Sequence, residues 1–157
     1  MVGEFLATLQ SEFADAADVE QITRIIVRLV MAAALGGLLG LQRERMRKAA
    51  GVRTHMLVAM GSALFVLVPQ QGGMALADMS RVVQGVIAGI GFLGAGAILK
   101  NQSEVSILGL TTAAGVWMTA AIGIACGMGR ESTAAISTVL TLGVFSIVPK
   151  VMVPKDP

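Results

Sequence analysis

Cysteine, aromatic residues and charge are all scarce in this sequence of 157 residues. Cys126 is the sole cysteine, so no intramolecular disulfide can form. His55 is the sole histidine, and without an H-x-x-x-H pair or a cysteine pair there is no basis for a transition-metal site. One histidine and no G-x-S-x-G string also argue against a hydrolase triad. Tyrosine is absent and Trp117 stands alone, which leaves little for an aromatic interface belt. Charged residues are 14% of the chain, against about 25% in soluble domains. A net charge of +2 supports no nucleic-acid-binding surface.

Apolar residues are abundant, at 55%, with a mean hydropathy of +0.77. That excludes a disordered chain, and long uncharged stretches point to lipid as the solvent. Apolar segments cover residues 25–41, 55–68, 82–99, 105–128 and 133–148. No amphipathic helices remain to cover them with a polar face, as a soluble protein would require. The fold class expected is all-α, a polytopic bundle of five transmembrane helices. Its divisions are an acidic N-terminal segment (1–21), the membrane domain (22–149) and a short tail (150–157). Phe5, Leu6, Leu9 and Phe13 recur near one helical turn, which suits a short amphipathic helix, although a frayed tail fits as well. The start Met-Val-Gly-Glu has no basic region or early apolar core, unlike a cleaved signal peptide.

Lys and Arg in short loops set orientation. Arg43, Arg45, Arg47, Lys48, Arg53, Lys100, Lys150 and Lys155 fall on one side. Arg24, Arg28, Arg81 and Arg130 fall on the other. The excess places the N-terminus outside and the C-terminus in the cytoplasm.

Glycine distinguishes the third segment. On a helix, Val82, Val86, Ile90 and Leu93 form one bulky arc, while Gly85, Gly89, Gly91, Gly94 and Gly96 occupy much of the rest. Small residues let helix backbones approach closely in lipid. This helix is therefore expected at the centre of the bundle, with its bulky arc towards lipid. Gly89-Ile90-Gly91-Phe92-Leu93-Gly94 matches G-x-G-x-x-G, but inside an apolar run and without a βαβ unit the match is accidental. Thr133, Ser137 and Thr141 suggest a helix-contact face in the fifth segment. Trp117, midway along the fourth, is expected in packing, with its N–H on a partner such as a threonine hydroxyl.

Asp78 precedes the glycine-rich segment and has two readings. It is either the helix N-cap, spaced to pair with Arg81, or an acid at the membrane edge facing a cation or partner. Arg28 is expected to snorkel to the interface, with Glu20–Arg24 as a surface pair. Glu44 can pair with Lys48, and the basic cluster around Arg43 and Arg53 can attract anionic lipid heads. His55, after Arg53-Thr54, is expected to cap or hydrogen-bond at the interface.

The chain resembles the membrane domain of the MgtC/SapB family. The resemblance rests on the runs Gly36-Gly37-Leu38-Leu39-Gly40-Leu41-Gln42-Arg43-Glu44, Ala50-Gly51-Val52-Arg53-Thr54-His55-Met56 through Ser62, and Asp78-Met79-Ser80-Arg81. It continues through 86–99, Gly109-Leu110-Thr111-Thr112-Ala113-Ala114 and Trp117, and covers residues 24–145. The resemblance implies a bacterial inner-membrane protein linked to growth at low magnesium and, in some pathogens, to survival inside macrophages. It adds weight to Asp78 as a functional residue. Many members carry a soluble C-terminal domain, and this chain is expected to lack it.

Two functions fit. One is a non-enzymatic modulator of ion or energy homeostasis, acting through a membrane-protein partner or a second copy of itself. The other is a small oligomeric cation carrier or channel. No cofactor is called for. Against a carrier, the apolar segments hold no Asp or Glu, and Thr111 and Thr112 offer a divalent cation only neutral oxygens. The functional candidates are thus Asp78, Arg81, Arg43, Glu44, Arg53, Thr54, His55, Thr111 and Thr112.

Overall fold

The computed structural model describes residues 1–12, 18–100 and 107–152. Its helices are α1 (Val2–Glu12), α2 (Val19–Arg45), α3 (Val52–Gln71), α4 (Leu76–Gly96), α5 (Leu110–Gly127) and α6 (Glu131–Met152). Two short strands, β1 (Leu99–Lys100) and β2 (Ile107–Leu108), pair antiparallel between α4 and α5. Helices α2 to α6 each contain a stretch long and apolar enough to cross a membrane. The expected five-helix bundle with a short N-terminal helix is the fold. Helix α1 buries none of its residues; Phe13 lies outside the described residues.

Helix ends follow local backbone chemistry more than hydropathy. Helix α2 begins well before the apolar run because Asp18 caps it, its carboxylate accepting from Glu20 N at 2.9 Å. Helix α3 continues past Pro69 to Gln71, since a proline in the last turn removes only one internal donor. Helix α6 likewise runs past Pro149 to Met152. Helix α4 begins at Leu76 with Ala75 at the N-cap, so Asp78 lies within the first turn and is not the cap.

The arrangement inverts one expectation. Helix α5 touches every other spanning helix, whereas the glycine-rich α4 rests on α5 and more lightly on α3. An added Cβ at Gly85, Gly89, Gly91 or Gly96 would meet nothing within 4 Å; at Gly94 it would touch Ala113. The middle of the bulky arc turns inward instead, where Ile90 packs with Val116 and Ala120 beside Val86, while Leu93 stays exposed. Burial of branched side chains against α5 outweighs backbone approach, so α4 sits at the edge with most of its glycines outward.

Close approach occurs elsewhere. A Cβ at Gly36 would lie 2.6 Å from the His55 carbonyl oxygen, and one at Gly40 would lie 2.6 Å from Val52 Cα. Cβ atoms at Gly123 and Gly127 would collide with the Ala59 and Ala63 carbonyls. Two small-x-x-x-small pairs, on α2 and α5, thus clamp α3 from both sides. Ala32, Leu39, Ala59, Ala63, Ile122 and Cys126 fill the seam. In α6 the inward residues are Ala134, Thr138 and Thr141; Thr133 is exposed.

Candidate functional site

The ends of the bundle differ in chemistry. The C-terminus of α2 and the N-terminal parts of α3 and α5 meet at one end, where Arg43 joins Thr111 and His55 joins Thr119, with Thr112 buried next to Thr111 in the chain. Arg43 is only 4% exposed, and its Nη2 donates to Thr111 Oγ1 at 3.2 Å. Its guanidinium carbon stands 4.4 Å from the centre of the Phe145 ring on α6, a cation–π distance. Neighbouring Gln42 donates from Nε2 to the Phe145 carbonyl at 3.3 Å.

His55 is fully buried, one turn into α3. Its Nδ1 lies 2.6 Å from Thr119 Oγ1, which itself donates to the Gly115 carbonyl at 2.9 Å. A hydroxyl has one proton, so the imidazole Nδ1–H is the donor to Thr119. Gly115 leaves room for this contact, since a Cβ there would lie 3.6 Å from His55 Cε1 and 3.1 Å from the Phe145 ring. Three buried atoms in this region have no hydrogen-bond partner among the described residues: His55 Nε2, Arg43 Nε and Gln42 Oε1. Native interiors leave few such atoms unpaired. Of the two roles expected for His55, capping or hydrogen bonding, the structure shows a hydrogen bond, made as a buried link between α3 and α5.

The remaining candidates do not join this cluster. Arg53 and Thr54 are exposed on the first turn of α3. Glu44 accepts from Val52 N at 2.9 Å, closing the α2–α3 turn. Asp78 and Arg81 lie at the opposite end, both exposed, with 3.9 Å between Oδ1 and Nη2. Trp117 is half-exposed and lines a groove with Val83 and Ile87 of α4. Among the described residues, no group of His, Cys, Asp and Glu is arranged to hold a metal ion.

The Arg28 guanidinium reaches the polar end of the bundle beside Gln70. Its Nη1 donates to Gln70 Oε1 at 2.7 Å and to the Gly127 carbonyl at 2.8 Å, tying α2 to the far ends of α3 and α5. Glu20 and Arg24 pair on the surface as expected. Thr119, Phe145 and the Arg28 bridge escaped sequence reasoning. Thr112 and Thr119 do recur seven residues apart within an apolar segment, the spacing of one helix face.

The profile of the MgtC family matches residues 29–153, which includes both the Arg43–His55 cluster and the glycine clamps. The chain belongs to the MgtC family. It is 48% identical over 126 residues to protein SrpB of Synechococcus elongatus, an alignment covering 73% of this chain and 69% of that one. It is 43% identical over 130 residues to YhiD of Escherichia coli, whose name provisionally makes it a magnesium transporter; 78% of this chain and 59% of YhiD are covered. Protein MgtC of Brucella abortus is 44% identical over 115 residues, covering 72% of this chain and 46% of its own length. This MgtC family chain therefore spans about half to two thirds of its curated relatives. No solved structure matches it.

Proposed function

We propose that this MgtC family protein is a non-enzymatic modulator of ion or energy homeostasis, linked to magnesium limitation and acting through a second membrane protein or a second copy of itself. The observation that carries the reading is the position of α4. It sits at the bundle edge, and Gly85, Gly89, Gly91 and Gly96 leave its backbone uncovered. In lipid, association depends on close packing, and uncovered glycines offer that to an incoming helix. Beside them an apolar groove of about 610 Å³ between α3 and α4 is lined by Leu57, Phe65, Gly89 and Leu93. The exposure of Asp78 and Arg81 at the start of α4 supports a partner contact there. The test is crosslinking and pull-down of tagged protein from its own membranes, comparing wild type with Gly85→Leu/Gly89→Leu and Asp78→Asn. A retained membrane protein or self-partner that Gly85→Leu/Gly89→Leu releases supports the reading; no specific partner in wild type defeats it.

The name of YhiD favours a second reading, a small oligomeric cation carrier. The charges argue against it, because among the described residues the buried polar side chains include Arg43 and no carboxylate. A cation crossing here would pass fixed positive charge without anionic ligands. Flux of Mg²⁺, K⁺ or H⁺ into liposomes that Asp78→Asn abolishes would establish the carrier.

A further inference from the structure

The geometry points to a phosphate-binding site at the start of α5, formed by the Arg43 guanidinium, the Thr111 hydroxyl and the N–H groups of the first helical turn. The argument begins with charge. Arg43 is 96% buried by its 4% exposure, yet no carboxylate lies within 4.0 Å of it among the described residues. Its Nε has no hydrogen-bond partner among the described residues. Glu44, the acid next in sequence, is committed to Val52 N. A buried guanidinium is costly without a counter-charge, and Phe145 and one hydroxyl compensate it only in part.

The helix end beside it lacks the same thing. Helix α5 starts from Gly109, at φ +92°, with no side-chain cap. Ala113 N reaches the Gly109 carbonyl, which leaves the N–H groups of Leu110, Thr111 and Thr112 ahead of the helical ladder. The positive end of the helix dipole adds to the charge of Arg43 at that point. Arg43 reaches this turn directly through Thr111 Oγ1. Leu110 and Thr111 are exposed while Thr112 behind them is buried, so a ligand approaches from the Thr111 side. A phosphate group suits these donors, since its oxygens can accept from a guanidinium fork, a hydroxyl and backbone N–H together.

The phosphate belongs either to an anionic lipid headgroup or to free phosphate, and one experiment separates them. The 157-residue chain is purified in maltoside micelles, which contain no phosphate, and titrated with short-chain phosphatidylglycerol or with inorganic phosphate. Binding is read by native mass spectrometry and by the unfolding midpoint. Wild type is expected to hold one phosphatidylglycerol, with Arg43→Gln at least about tenfold weaker, the loss expected when a charge-assisted hydrogen bond is removed. Arg45→Gln, an exposed neighbour, should bind within about twofold of wild type. Thr111→Val removes the hydroxyl that accepts from Arg43 while leaving the guanidinium in place, and should also weaken binding, which keeps the test decisive if Arg43→Gln does not fold. Binding of inorganic phosphate with the same dependence on Arg43 and Thr111 would support the site with a soluble ligand. Absence of both adducts, or adducts indifferent to Arg43→Gln and Thr111→Val, would overturn it.

Discussion

His55 on α3 donates its Nδ1–H to Thr119 on α5 across 2.6 Å, in a position sealed from solvent. It joins two helices that otherwise meet through alanine and glycine. Thr119→Val keeps the volume and removes the acceptor, leaving a buried imidazole N–H unpaired. The expected cost is about 1–3 kcal/mol of stability. His55→Ala also destabilises, and a double-mutant cycle by thermal or detergent unfolding should show coupling between the sites. Additive losses would mean the contact is incidental.

The glycines divide into two classes with opposite predictions. A methyl at Gly123 or Gly36 would collide with the α3 backbone, so Gly123→Ala and Gly36→Ala should each cost about 1–3 kcal/mol, or prevent folding. Gly85→Ala and Gly89→Ala meet open space. They should leave the isolated protein unchanged or raise its stability by up to about 1 kcal/mol, because alanine is the better helix former. Unfolding midpoints of the four variants check the contrast. Equal losses in both classes would mean that α4 is packed more tightly than its position implies.

This contrast also shows what was legible in the sequence. Hydropathy was sufficient for the number and order of spanning helices, because lipid imposes a length on each. It was insufficient for their arrangement. Glycine content singled out α4, but close packing depends on which helix faces each glycine. Gly36/Gly40 and Gly123/Gly127 are sparser in sequence, yet both pairs face α3. Arg43 and His55 were recognisable as unusual residues near one membrane edge. Their burial was not, because it depends on Phe145 arriving from α6, more than a hundred residues after Arg43 in the chain. Asp78 shows the reverse case, prominent in its motif but exposed and loosely paired in the fold.

Arg28 supplies a third prediction. One nitrogen bridges Gln70 and the Gly127 carbonyl, and a Cβ at Gly129 would strike the same guanidinium. Arg28→Gln should lose about 1–3 kcal/mol as the far ends of α2, α3 and α5 separate. Gln70→Ala should cost less, since the Gly127 carbonyl still receives a hydrogen bond. Hydrogen exchange of the last turns of α3 and α5 localises the effect. If exchange there is unchanged in Arg28→Gln, the bridge does not fasten this end.

Orientation supplies the last prediction. The turn after α2 brings Arg45, Arg47, Lys48 and Arg53 to the end of the bundle that holds Arg43, while Arg24, Arg28 and Arg81 mark the other. The side whose short loops hold the excess of Lys and Arg is retained in the cytoplasm, so the α2–α3 turn should face inward and the α3–α4 turn outward. The single native thiol, Cys126, is buried, which keeps background labelling low. In intact spheroplasts, Met74→Cys should therefore react with a membrane-impermeant maleimide, whereas Lys48→Cys should react only after permeabilisation. The opposite pattern would invert the topology. It would also turn the Arg43–Thr111 end, with its proposed phosphate site, away from the cytoplasm.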